Sequence, residues 1–277
     1  MYYRKIRDYI AFKHRHPVFV NSIPKCGTNL VMNLINSIPY TKHKADFSMC
    51  HTYENPEEGF LKLIKPQKNI LNGDVYVGHV PYSDAFNSWL KKYNFKHIFV
   101  IRDPRDYIVS LSHYVTKDDH NTVKKEDKKK HAYYDLFMRI ATDHLYRYKY
   151  LIKGYGKGTD RFVISPDSIP NVKIVFGAYQ KWLKDTKTLT VPFESIINKD
   201  VSPVTMKNIL TFLEQDSSHA LKRGAEILQF GTNPSKSRTF RKGEIGGWKN
   251  SFDEKTEILF NDFVGTSLND FMVNNKL

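Results

Sequence analysis

The stretch Pro17-Val18-Phe19-Val20-Asn21-Ser22-Ile23-Pro24-Lys25-Cys26-Gly27-Thr28-Asn29 changes character halfway along. Its first half, to Ile23, reads as a buried strand bounded by turn residues. Beyond Gly27, the apolar residues Val31, Leu34, Ile35 and Ile38 recur at helical spacing, and Thr28 is expected to cap that helix. A strand that turns sharply into a helix brings backbone N–H groups and the positive end of the helix dipole to one place, which suits a phosphate. Gly27 would let the backbone approach a ligand closely, and Lys25 adds a mobile positive charge. Thr28 and Asn29 supply a hydroxyl and an amide. An ordinary strand–turn–helix with a surface lysine would read the same way. The Walker spacing is absent, and with it the hydroxyl that normally holds Mg²⁺. Cys26 is expected to be a small filler, because a cysteine phosphatase loop would place an arginine where this chain has Met32.

Two further segments carry the same anion-holding chemistry. His97-Ile98-Phe99-Val100-Ile101 is nearly continuous in apolar residues, as in a parallel strand covered on both faces. It runs into Arg102-Asp103-Pro104, where Asp103 can cap and Pro104 can open a helix that carries Ser110. Arg102 offers a planar fork for a phosphate, or it could pair with Asp103 or Asp106 and simply close the turn. Arg241-Lys242-Gly243 offers two charges and a backbone donor, and alone it would pass for a solvated basic loop.

Around these segments, Asp74 to His79 reads as another strand, ended by Pro81, and Leu189 to Phe193 as a fourth. Helices are expected over Ala132–Leu151 and Phe176–Leu183, from Ser202-Pro203 onward, over about His219–Leu228, and after Phe252. Gly231 to Gly247 reads as an ordered loop. Strands alternating with helices imply an α/β fold with a mainly parallel central sheet flanked by helices. No linker or repeat divides residues 1–277, so a single domain is expected.

Composition narrows the function classes. With 40% hydrophobic residues the chain is expected to fold, and its apolar runs are too short to span a membrane. Only Cys26 and Cys50 occur, so a disulfide framework is not expected and a reducing cytoplasm is the simpler location. The spacing of Cys and His suggests no metal site. A net charge of +14 favours an anionic partner. The mixed-sign run from Lys124 to Lys130 reads as a solvated loop and gives no reason to expect nucleic acid.

Taken together, the motifs resemble those of the sulfotransferases that use 3′-phosphoadenosine 5′-phosphosulfate (PAPS). Pro24-Lys25-Cys26-Gly27-Thr28-Asn29 is similar to the family's 5′-phosphosulfate loop, and Arg102 to Ser110 to its 3′-phosphate motif. Arg241-Lys242-Gly243 with Gly246-Gly247-Trp248-Lys249-Asn250 resembles its C-terminal signature. Gly78-His79-Val80-Pro81 resembles the segment that carries the catalytic histidine of the cytosolic branch. Three departures stand out. Leu30 replaces the Trp that stacks on adenine, and Val77 replaces an assisting lysine. Asp253-Glu254 replace the Thr-Val of a dimer motif, which leaves the oligomeric state open.

The resemblance implies a P-loop-kinase-like sulfotransferase fold in which a strand–loop–helix binds the phosphosulfate. It implies PAPS as co-substrate, adenosine 3′,5′-bisphosphate as product, and no metal. By the same resemblance, His79 would be the general base, and Lys25 would stabilise the leaving bridging oxygen. Lys25, Cys26, Gly27, Thr28 and Asn29 would hold the 5′-phosphate, and Arg102, Ser110, Arg241, Lys242 and Gly243 the 3′-phosphate. The expected acceptor is a small molecule with a hydroxyl or amine, such as a secondary metabolite, with a glycan or glycolipid as the alternative. An ATP-dependent kinase and a non-enzymatic polyanion-binding protein are the competing classes.

Overall fold

Five strands, β1 (Val18–Ser22), β2 (Lys42–Phe47), β3 (Asp74–Gly78), β4 (Lys96–Ile101) and β5 (Thr188–Pro192), form one sheet in the order β2-β3-β1-β4-β5. Every pairing in it is parallel. They belong to a computed structural model that describes residues 6, 9–10, 12–47, 56–65, 67, 69–116, 133–141, 143–157, 162, 165–215, 218, 220, 222, 243–265, 268 and 271. The helices, in chain order, begin with α1 (Thr28–Asn36), α2 (Pro56–Ile64), α3 (Asp84–Lys92), α4 (Pro104–Thr116), α5 (Tyr134–Ile140) and α6 (His144–Lys153). They continue with α7 (Val172–Gly177), α8 (Gln180–Lys184), α9 (Phe193–Ile197), α10 (Ser202–Phe212) and α11 (Glu254–Val264), and a 3₁₀ helix covers Gly247–Asn250.

The chain forms two compact units. Met1–Cys50, Asn55–Arg102 and Tyr179–Gly243 make the first, which holds the whole sheet; His51–Glu54, Asp103–Ala178 and Glu244–Leu277 make the second.

Alternation along the strands sorts the first unit's core into two chemistries. Val18, Val20, Val75, Val77, Ile98 and Val100 face one way and pack with Val31, Leu34 and Ile35 of α1 and Met206, Ile209 and Leu210 of α10. The other face is aromatic: Phe19 meets Phe86 of α3 at 5.0 Å between ring centroids, and Phe99 stacks on Tyr179 at 5.9 Å. Each large side chain buried in this way contributes about 1.5–3 kcal/mol relative to exposure. Both faces being covered explains why β1, β3 and β4 read as continuous apolar runs.

The sheet order matters for function. β1 has β3 on one side and β4 on the other; the chain leaves β1 for β2 on one side and β4 for β5 on the other, so the strand order reverses between β1 and β4. In open α/β sheets, ligands bind at the carboxyl ends of the strands beside such a reversal.

Several expected elements differ in detail. The stretch expected as one helix over Ala132–Leu151 is α5 and α6, because Ala141 is extended and the Asp143 carboxylate caps a new helix through Tyr146 N–H at 3.0 Å. The helix expected at Phe176–Leu183 is α7, started early by the Asn171 side chain on Ile174 N–H at 3.0 Å, followed by α8. Thr28 is not a cap. Gly27 occupies the cap position of α1 with φ +104°, and Thr28 is the first helical residue. Strand β2 has no counterpart in the sequence reading, since Lys42, His43 and Lys44 lie exposed on the sheet edge and show no apolar alternation. The helix expected at His219–Leu228 falls largely outside the described residues.

His97 on β4 makes a stability test. It is buried on the aromatic face, 4.5 Å from the Trp182 ring, with Nδ1 2.8 Å from the Thr188 hydroxyl. Burial pushes its pKa down to about 3. The folded state therefore keeps His97 neutral while the unfolded chain takes up a proton below about pH 6.5. The stability is present above the unfolded pKa and is lost as pH falls from about 6.5 towards 3. One extra proton in the unfolded state gives a slope of about 1.4 kcal/mol per pH unit. His97→Gln is expected to flatten the acid side of a urea-unfolding series by up to that amount; an unchanged slope would refute it.

Candidate active site

The carboxyl ends of β3, β1 and β4 carry three of the residues singled out in the sequence. β1 leads into Lys25, β3 into His79 and β4 into Arg102. All three lie in the first unit.

The loop after β1 is held by its own backbone: Cys26 N–H donates to the Ile23 carbonyl at 3.1 Å, and Leu30 N–H to the Gly27 carbonyl at 3.0 Å. Lys25 takes a left-handed φ of 67°. Gly27 is required twice over, because a Cβ there would lie 2.6 Å from a ring carbon of Phe193, at the start of α9. Its φ of +104° is also one that side-chain-bearing residues rarely adopt. Gly27→Ala is expected to lose about 1–3 kcal/mol of stability through strain and overpacking. Chemical denaturation measures it, and a wild-type midpoint would contradict the packing described.

Phe193 links the loop to the next strand end, since the Arg102 guanidinium lies 4.4 Å from the centre of its ring. A guanidinium stacked on an aromatic face keeps its planar fork oriented while its edge remains a set of donors. Asp103 caps α4 through Arg105 N–H at 2.8 Å and receives the Arg105 side chain at 2.6 Å. Asp106 accepts from the N–H groups of Gly246 and Trp248, both at 2.9 Å, and Arg105 lies 4.0 Å from the Trp248 ring. These contacts tie two sequence motifs together within the second unit.

Cys26 is fully buried, and desolvation raises its thiol pKa far above the usual range despite the nearby charges of Arg102 and Lys25. A thiolate there is disfavoured, in keeping with a filler role.

His79 follows β3 directly, and its ring is held from β1. Nδ1 lies 3.1 Å from the Ser22 carbonyl oxygen and 3.2 Å from the Ser22 hydroxyl. A carbonyl only accepts, so Nδ1 carries the hydrogen and Nε2 the lone pair. Burial lowers the pKa of His79, an effect opposed by the bond to Ser22 and by the Asp46 charge and reinforced by Lys25. The ring is therefore neutral near pH 7 and able to accept a proton.

The backbone of this segment is equally fixed. Asn21, fully buried, donates to the Val80 carbonyl at 2.9 Å and accepts from Val80 N–H at 2.8 Å. Tyr179 donates to the His79 carbonyl at 3.0 Å, and Trp182 to that of Val80 at 3.1 Å. Sequence reasoning missed Asn21, Ser22, Phe193, Tyr179 and Trp182. Two polar residues ending an otherwise apolar strand were the available signal for the first two.

The remaining candidates are placed as follows. The Thr28 hydroxyl turns inward to Ser22, while Asn29 is half-buried in the first turn of α1. Leu30 packs against the aliphatic core. Ser110 is half-buried on α4, in the second unit, and Gly243 has φ +64°. Arg241 and Lys242 lie outside the described residues. Among the described residues, no group of His, Cys, Asp and Glu is arranged to hold a metal ion, and no helix is long and apolar enough to cross a membrane.

Known proteins share this chain's sequence pattern and fold. The family described as "Sulfotransferase domain" matches residues 15–272. The chain is 25% identical over 269 residues to Sulfotransferase 6B1 of Mus musculus, covering 94% of this chain and 80% of that one. It is 24% identical over 261 residues to a 3-alpha-hydroxysteroid sulfotransferase of Cavia porcellus, covering 90% and 82%. In three dimensions it resembles a mouse sulfotransferase, SULT7A1, solved with PAP: TM-score 0.60, 18% identity, 91% of this chain and 84% of that one.

Proposed function

The chain belongs to the sulfotransferase family, and on that premise we propose that it transfers a sulfuryl group from PAPS to a hydroxyl or amine of a small-molecule acceptor. The observation that carries this reading is the placement of Lys25 and His79 at the ends of adjacent strands, with His79 neutral and its lone pair on Nε2. Nε2 takes the acceptor's proton as the acceptor atom bonds to sulfur. The bridging S–O bond to the 5′-phosphate breaks at the same time, and adenosine 3′,5′-bisphosphate (PAP) leaves. Negative charge grows on the former bridging oxygen, where the Lys25 ammonium stabilises it.

In this proposal the backbone of Cys26 to Asn29 receives the 5′-phosphate, with Gly27 allowing the close approach. The same motifs assign Arg102, Ser110, Arg241, Lys242 and Gly243 to the 3′-phosphate, and the stacked guanidinium of Arg102 supports that role. The PAP in the mouse sulfotransferase structure and the hydroxysteroid in the guinea-pig relative's name support the donor and a hydroxyl acceptor respectively. A metal-independent reaction and a cytoplasmic location form part of the same proposal.

The test is incubation with sulfur-labelled PAPS and a panel of small hydroxylated and amine metabolites and glycans, followed by mass analysis. A labelled small molecule formed with one equivalent of PAP supports the proposal. Label found only on a glycan would move the acceptor to the alternative class, and PAPS left intact throughout would contradict the activity.

A further inference from the structure

Ser22 touches both halves of the proposed chemistry. Its hydroxyl contacts the Thr28 hydroxyl at the start of α1, donates to the Ile23 carbonyl at 2.8 Å, and lies 3.2 Å from His79 Nδ1. Having given its own hydrogen to Ile23, the hydroxyl oxygen acts as acceptor for both Thr28 and the His79 ring. The Ser22 carbonyl, 3.1 Å from the same Nδ1, shares that hydrogen. Both hydroxyls are buried, Ser22 being 0% exposed and Thr28 8% exposed. Water therefore has little access to replace either oxygen.

We propose that Ser22 is a positioning residue for His79, its two oxygens fixing the ring with Nδ1–H turned inward and Nε2 turned to the acceptor. The inference rests on the reading of His79 as the base. An imidazole with both edges solvated exchanges tautomers and rotates freely, so only part of its population presents the right nitrogen in the right direction. Two buried acceptors on one nitrogen remove that freedom. Asn21 complements them by clamping both backbone groups of Val80, so the ring cannot retreat by a shift of its own main chain. The charged groups acting on the ring, Lys25 and Asp46, and the Tyr179 phenol on its carbonyl, are all retained when Ser22 is changed.

The experiment reads tautomer and kinetics separately. Long-range ¹⁵N–¹H spectra of histidine-labelled protein, with His79→Gln identifying the signal, are expected to show Nδ1–H in the wild type without any substrate. Ser22→Ala keeps the carbonyl and loses the hydroxyl. It is expected to show a mixed tautomer and a kcat about tenfold lower, in line with a misdirected catalytic group. PAP affinity and KM for PAPS should stay within about twofold, because uniform binding is untouched. The acid limb of kcat should move to lower pH, since an acceptor that stabilises the imidazolium has been removed. Ser22→Thr, which keeps the hydroxyl, should retain the wild-type tautomer and profile.

An Nε2–H tautomer in the wild type would overturn the inference even if no variant folds. So would a Ser22→Ala protein with wild-type kcat and pH profile, or one whose only loss is in donor affinity, which would assign Ser22 to Thr28 and the donor loop. A protein that transfers no sulfuryl group would defeat the proposed function while leaving the tautomer result readable.

Discussion

His79→Ala is expected to lower sulfuryl transfer by about 10²–10⁴-fold, the usual contribution of a positioned general base. PAP affinity should change little, because His79 is assigned to the acceptor proton and not to the donor. The loss should be in kcat and kcat/KM together, marking an interaction made in the transition state. Two structural facts make the expectation specific. The ring is neutral, since burial lowers its pKa below the ordinary value, and its Nδ1 is committed to Ser22. An NMR titration of the free protein should therefore show His79 changing charge below about pH 6.5, the unperturbed value. Loss of PAP binding in parallel with activity would move His79 into the donor site and out of the role of base.

Lys25→Ala is expected to cost about 10²–10³ in kcat, the scale of removing one preorganised donor from a developing oxyanion. Ammonium and guanidinium are not equivalent here. Lys25 leaves a tight turn at φ 67°, and a compact point charge can follow a single oxygen where a planar fork needs two acceptors. Lys25→Arg should therefore restore only part of the rate. A second readout comes from electrostatics: Lys25 lowers the pKa of His79, so its removal should raise that pKa and shift the histidine titration to higher pH. Normal turnover by a folded Lys25→Ala protein would remove the leaving-group role from the mechanism.

The strand, turn and helix from Val18 to Asn36 were legible in the residues themselves because local chemistry and global fold agree there. Val18 to Ser22 is apolar enough to be buried on both faces, Gly27 is the residue the turn requires, and the α1 stripe shares one face of the core. The start of α4 was legible for the same reason, Asp103 and Pro104 both being suited to a helix entry. β2 was not legible: its exposed Lys42-His43-Lys44 owes its strand conformation to the ladder with β3, a non-local cause. The breaks between α5 and α6 and between α7 and α8 were hidden because the apolar spacing continues across them, while single caps at Asp143 and Asn171 decide the start points.

Of the site, the residues with distinctive chemistry were legible and their supports were not. Lys25, Arg102 and His79 announce themselves by type and by their place at strand ends. Ser22 and Asn21 look like ordinary strand residues until β3 lies beside β1, separated from it by more than fifty positions in the chain. Phe193 is equally anonymous until its ring is found against Gly27 and beneath Arg102. Asp106 gives no sign in the sequence that its carboxylate receives the Gly246 and Trp248 N–H groups, which lie far along the chain.

The central claim is that the strand–loop–helix at Lys25 to Asn29 serves a 3′-phosphorylated nucleotide donor and not ATP. Thermal unfolding with PAP, compared with ATP and Mg²⁺ at matched concentrations, tests it most directly, because a ligand that binds only the folded state stabilises by RT ln(1 + [L]/Kd). A saturating PAP concentration of about 100 times Kd should stabilise the protein by about 2.7 kcal/mol without added metal. ATP with Mg²⁺ should do markedly less. Stronger stabilisation by ATP with Mg²⁺ than by PAP would contradict the account.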